Sequence, residues 1–138
     1  MQINVYTDGG SRGNPGPSGF GLVIYSDKNE IIYQESTFLG VKTNNEAEYS
    51  GLLAALKWIL DNKTNYKLTQ VNFFADSQLM IRQLQGIYKV KSPNLVPIFA
   101  KSQKLITEIN LPIKYQDIRR DFNKLADELA NQAMDRKS

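Results

Sequence analysis

The 138-residue chain contains no cysteine and no histidine. Those two absences exclude disulfide scaffolds, thiolate nucleophiles, Ser-His-Asp triads and zinc held by imidazole or thiolate. Catalysis, if there is any, must use carboxylates, hydroxyls, amides, lysine or arginine, and a participating metal must be a hard, oxygen-ligated ion. No apolar run approaches the roughly 18 residues that read as a membrane span. The start, MQINVYTDGG, has no basic stretch leading into an apolar one, so it does not read as an export signal. The expectation is a cytoplasmic, monomeric protein with no membrane association. Composition is 41% hydrophobic and 22% charged, ordinary for a globular chain. The length suits a single domain over 1–138 with a real core.

Charge is unevenly placed. Residues 1–76 hold 6 bases and 8 acids, whereas residues 77–138 hold 11 and 6. Between Ser77 and Thr107 there is no acid, against Arg82, Lys89, Lys91, Lys101 and Lys104. A polyanion partner is one reading of this asymmetry, and a solvated basic face is the other.

Periodicity orders the chain. Gln2 to Asp8 alternates, with Ile3, Val5 and Thr7 on one face and Asn4, Tyr6 and Asp8 on the other. Gly9 to Gly19, with five glycines and two prolines, reads as a turn-rich loop. Phe20–Ser26 and Ile31–Leu39 read as strands joined by a hairpin turn over Asp27–Glu30. Tyr49, Leu52, Leu53, Leu56, Ile59 and Leu60 have helical spacing, and Asp61-Asn62 closes that run. Val71–Ala75 predicts a short strand, with a helix beyond Ser77. Leu95–Ile109 predicts a helix that admits Pro97 only in its first turn. Ile113–Ile118 predicts the last strand, and Phe122, Leu125, Ala126, Leu129, Ala130 and Ala133 mark a terminal helix. The order β-β-β-α-β-α-α-β-α implies an α/β fold, a mixed sheet antiparallel first and parallel later, flanked by helices.

Two of the strands end alike, as YTDGG at Asp8 and FADSQ at Asp76. Ligands collect at the carboxyl ends of parallel strands, although a single Asp at such a junction is ordinarily a turn former or helix cap. In KTNNEAEYSGLLAAL, Glu46 and Glu48 each lie roughly 80° from the centre of the apolar stripe. Thr43 and Glu46 form a capping-box pattern, which gives Glu46 a structural role and leaves Glu48 without one. Asp127 lies opposite the apolar stripe of the terminal helix, so periodicity alone makes it solvent-exposed. Asn123, four residues earlier, shares its face and could orient it.

Together, YTDGGSRGNPGPSGFG, TNNEAEYSGLLAAL, FADSQL and NKLADELANQA resemble the type 1 ribonuclease H family, in order and essentially end to end. The resemblance implies a five-stranded mixed sheet flanked by helices. It also implies an endoribonuclease that cuts the RNA strand of RNA–DNA hybrids, leaving 5′-phosphate and 3′-hydroxyl ends. By resemblance, Asp8, Glu48, Asp76 and Asp127 are the catalytic metal ligands for two Mg²⁺ ions, with Mn²⁺ as an alternative. Asn14, Asn45 and Gln78 match positions that read ribose 2′-hydroxyls and minor-groove edges, for which amides are suited. Thr43 and Asn44 match a pocket gripping a DNA-strand phosphate, which a helix N-terminus favours in any case. Many members carry a histidine before the last helix, and this chain has none. Arg120 resembles a subgroup with arginine in that neighbourhood and, with Asn123, is an auxiliary candidate. A basic protrusion found in some members is shortened here to about residues 86–95, with Lys89, Lys91 and Lys101 able to share its work. Two other readings are a catalytically inactive nucleic-acid-binding module on the same fold and a superfamily nuclease acting on DNA. The four intact acids oppose the first, and the 2′-hydroxyl-reading amides with the helix-borne Glu48 oppose the second.

Overall fold

A computed structural model describes residues 1–136. Its elements are β1 (Gln2–Ser11), β2 (Gly16–Tyr25), β3 (Ile31–Lys42), α1 (Asn44–Asn62), β4 (Gln70–Ala75), α2 (Gln78–Leu84), α3 (Val96–Ile109), β5 (Ile113–Asp117) and α4 (Lys124–Arg136). One turn of 3₁₀ helix over Arg120–Phe122 precedes α4. The sheet order is β3-β2-β1-β4-β5. The β1–β2 and β2–β3 pairs are antiparallel, and β1–β4 and β4–β5 are parallel. The mixed sheet and the element order are those expected from the sequence.

Alternation along β1 divides the molecule into layers. Ile3 and Val5 pack with Leu22 and Ile24 of β2 against Leu52, Leu56 and Ile59 of α1, all essentially inaccessible to solvent. Each such aliphatic side chain is worth about 1.5–3 kcal/mol on burial. The opposite face is covered in part by α4, whose Ala126 and Leu129 meet Val23. Thr43 Oγ1 accepts from the Glu46 N–H at 3.1 Å while Glu46 Oε1 accepts from the Thr43 N–H at 3.0 Å. The capping box therefore fixes where α1 begins. Pro97 falls in the first turn of α3, where its missing N–H is tolerated.

Two expectations are corrected. Gly9–Gly19 is not mainly loop: β1 and β2 remain paired out to Ser11 and Ser18, leaving only a short turn between them. The glycines there serve close packing more than punctuation. A Cβ at Gly21 would collide with the Ala126 carbonyl, and one at Gly19 would lie 2.8 Å from the Ala133 Cβ. Glycine on β2 facing alanine on α4 brings helix and sheet together at short range. Phe122, expected on the apolar stripe of the last helix, precedes α4 instead and is 67% exposed.

Candidate active site

The parallel β1–β4 pair runs in register from Gln2 opposite Gln70 to Thr7 opposite Ala75. The next residue on each strand is an aspartate, Asp8 and Asp76. Because side chains alternate, both follow core-facing neighbours, the buried Thr7 and Ala75, and turn to the α4 side of the sheet. Ser77 then caps α2, its Oγ accepting from the Met80 N–H at 3.2 Å, so β4 cannot extend past Asp76. Glu48, on the second turn of α1, reaches the same point, where its Oε1 accepts from the Gly9 N–H at 3.1 Å. Ligand oxygens of Asp8, Glu48 and Asp76 all lie within 4.8 Å of one another.

Asp127 joins from α4. Buried Asn123 donates its Nδ2–H to the Thr7 carbonyl at 2.8 Å, and its own carbonyl accepts from the Asp127 N–H at 3.1 Å. The start of α4 is thereby tied to β1 one residue before Asp8. Asp127 stands outside the tight group of three but is partly buried and within hydrogen-bonding reach of Asp8. The solvent exposure suggested by periodicity alone is overturned, because the first turn of α4 lies over the end of β1.

Crowding shifts the acids. Burial, then the neighbouring Glu48 charge, pushes the Asp8 carboxyl up to about 10. Burial, followed by repulsion from Asp76, raises Glu48 to about 8 despite the Gly9 hydrogen bond. Asp76 is also raised, again by burial first, with hydrogen bonding to Asp8 and the Arg120 charge opposing. Glu48 Oε2 and Asp76 Oδ2 are buried without a hydrogen-bond partner. Such acceptors are costly unless a cation or donor completes them. This all-oxygen set, with two orphaned carboxylate oxygens, fits a hard divalent metal.

The acids open into a cleft of about 520 Å³ that Asn44, Asn45, Ser77 and Arg120 also line. Arg120 is 82% exposed, with its Nε 3.9 Å from Asp76 Oδ2. Asn44 Oδ1 accepts from the Ser11 N–H at 2.8 Å, and Asn14 Oδ1 accepts from the Asn44 N–H at 3.0 Å. These two amides pin the β1–β2 turn to the N-terminus of α1. Thr43 sits beside them as the helix cap, and Asn45 faces the cleft with no side-chain bond of its own among the described residues. Gln78 is exposed at the start of α2 and does not line the cleft.

Sequence reasoning missed Arg12 and Asn131, which line the cleft's far wall. The Arg12 guanidinium pairs with Asp135 and donates to Asn131 Oδ1 at 3.4 Å. The available signal was the i, i+4 spacing of Asp127, Asn131 and Asp135, which places all three on one helical face.

The RNase H family profile matches residues 1–135. Ribonuclease HI of Halobacterium salinarum is 34% identical over 134 residues, covering 97% of this chain and 65% of that protein. A bifunctional protein of Mycobacterium tuberculosis is 38% identical over 136 residues, 98% of this chain, and the chain spans only 36% of its length. Among solved structures, LC11-RNase H1 in complex with RNA/DNA hybrid superposes with a TM-score of 0.90 at 42% identity, covering 97% of each chain. RNase H1 from Halobacterium salinarum superposes with a TM-score of 0.88 at 33% identity, covering 99% of each chain. A carboxylate cluster at the ends of two adjacent parallel strands, on a fold shared almost end to end with these proteins, makes this chain a member of the RNase H family.

Proposed function

We propose that the chain is a metal-dependent endoribonuclease that hydrolyses the RNA strand of RNA–DNA hybrids, leaving 5′-phosphate and 3′-hydroxyl ends. The observation that carries this reading is the acidic cluster itself, with Glu48 Oε2 and Asp76 Oδ2 buried and unpartnered at the floor of an open cleft. Asp8, Glu48, Asp76 and Asp127 would hold two Mg²⁺ ions, or Mn²⁺ in their place. Bound there, such ions lower the pKa of a water and stabilise charge on the attacked phosphoryl group and leaving oxygen.

The chain's own residues supply position. The Gly9 N–H holds Glu48 in its rotamer, and Asn123 fixes Asp127 relative to Asp8. The N-terminus of α1, with Thr43, Asn44 and Asn14 around it, is suited to a backbone phosphate. Asn45 faces the cleft, and its carboxamide can donate to and accept from a ribose 2′-hydroxyl; Gln78, at the exposed start of α2, offers the same chemistry farther out. Arg120 offers a fixed positive charge at the mouth. An arginine is not a proton shuttle as histidine is, so any contribution from it is through charge. We take the acting unit to be a single domain over 1–138, working as a monomer in the cytoplasm.

The test is to incubate labelled RNA–DNA hybrid, duplex RNA and duplex DNA with the protein and Mg²⁺ or Mn²⁺, alongside Asp76→Asn. Hybrid-selective cutting that Asp76→Asn abolishes is expected. Absence of hybrid cleavage with every divalent metal tried would leave the inactive binding-module reading standing.

A further inference from the structure

Beneath Asp8 and Asp76, the same sheet face carries matched cross-strand pairs: Tyr6 with Phe74, Asn4 with Asn72, and Gln2 with Gln70. These residues are exposed or only partly buried, because α4 covers the upper part of this face alone. Tyr6 stacks on Phe74 at 4.8 Å and 20°, and Tyr25 meets Tyr6 edge-on at 5.5 Å and 87°. The Tyr6 ring is thus held in one orientation. Tyr6, Tyr25 and the largely exposed Phe122 come from three elements to line a cavity of about 220 Å³, with Asn29 and Lys124 among its polar groups. Asn123 lines the slot and bonds to the Thr7 carbonyl beside Asp8, so the slot neighbours the catalytic cleft.

We propose that this aromatic slot binds an unpaired nucleobase of a single-stranded segment continuous with the nucleic acid in the catalytic cleft. Ring faces accept any base by stacking, and an amide and an ammonium group beside them suit a base edge and a backbone phosphate. Ala126 and Phe122 of the slot lie one and two residues from Asp127 and Arg120 of the cleft, so a nucleic-acid strand leaving the cleft is the occupant within reach. Phe122 is exposed and takes no part in the core; the Arg119 guanidinium stands over one face of its ring, 5.5 Å from the centre, which leaves the other face for such a contact. The inference rests on the ribonuclease reading and adds to it a preference for hybrids with single-stranded tails.

Two measurements test it. In the first, KM is compared for blunt hybrid and for hybrids bearing short single-stranded tails at either end, using the wild type, Phe122→Ala and Phe122→Leu. A tail on at least one end is expected to lower KM by about five- to tenfold, with both variants losing that gain and cutting blunt hybrid as the wild type does. In the second, a 2-aminopurine-labelled single strand is titrated in EDTA. Fluorescence quenching by the wild type is expected, with little by Phe122→Ala. No tail effect together with normal blunt cleavage overturns the slot and leaves the ribonuclease reading intact, whereas no cleavage of any hybrid overturns both. A tail effect kept by Phe122→Leu, or quenching kept by Phe122→Ala, marks a contact other than stacking and overturns the proposal.

Discussion

Gly9 donates its N–H to Glu48 at 3.1 Å, and a Cβ on Gly9 would lie 2.5 Å from the Glu48 backbone nitrogen. Strand and helix are therefore in backbone contact at the point where two of the acids meet. Gly9→Ala must push α1 away from β1. The expected cost is about 1–3 kcal/mol by urea denaturation, with a loss of activity that saturating metal does not recover. Unchanged stability would show that α1 can shift freely there.

Stability of the metal-free protein should fall as pH rises. Burial, then the neighbouring carboxylates, raises Asp8 to about 10 and Glu48 to about 8 in the folded state, above the ordinary values of 3.8 and 4.5. Between those limits the folded state binds more protons than the unfolded one, so the unfolding free energy declines with pH. In EDTA, Tm should be highest near pH 4–5 and drop progressively towards pH 9. A divalent metal should restore it at high pH. A Tm flat across this range would argue against repulsion among the acids.

Asp8→Asn separates the two consequences of that crowding. It removes one of the mutually repelling carboxylates, so the metal-free protein at pH 8 should melt at a higher temperature than the wild type. Hybrid cleavage should fall to background in the same preparation. A variant both less stable and inactive would show a structural role for the carboxylate instead.

Asn123→Ala deletes the buried bond to the Thr7 carbonyl. The orphaned acceptor should cost about 1–3 kcal/mol, read from denaturant curves. Asp127 should lose its placement with it, so activity at low metal concentration should fall more than activity at high. An equal drop at both concentrations would mean that Asn123 does not act through Asp127.

Arg120→Ala should leave Tm unchanged, since the side chain is largely exposed. Its rate should fall severalfold, with Arg120→Lys retaining part of the activity. The pH–rate profile should keep its shape, because a permanently charged guanidinium contributes charge and not a titrating proton. A displaced profile would assign it a different role.

Local signals explain what was legible in the sequence. The Thr43–Glu46 capping box marked the start of α1 and separated Glu46 from Glu48, and the structure bears out both. The Pro97 position and the strand alternation were legible for the same reason: each is set by a residue's own backbone or its nearest neighbours. Tertiary contacts account for the failures. Gly19 and Gly21 read as punctuation because the alanines that need their missing side chains lie more than a hundred residues away. The proximity of Asp127 to Asp8 depends on where α4 docks, which no helical wheel contains. Arg12 gave no signal until its partners on α4 were known.

The pairing of β1 with β4 carries a last consequence. A strand's side chains alternate with a period of two, so a slip of one residue exchanges its faces. In such a slipped molecule Asp8 would turn into the core, where Thr7 now packs beside Gly51, and the acidic cluster would be one carboxylate short. The aliphatic side chains of Ile3, Val5 and Val71, which touch no reacting atom, are what rule that molecule out. Misfolded copies of this chain would thus be silent rather than promiscuous, because the cleft assembles its charge only when the hydrophobic interior has been threaded correctly.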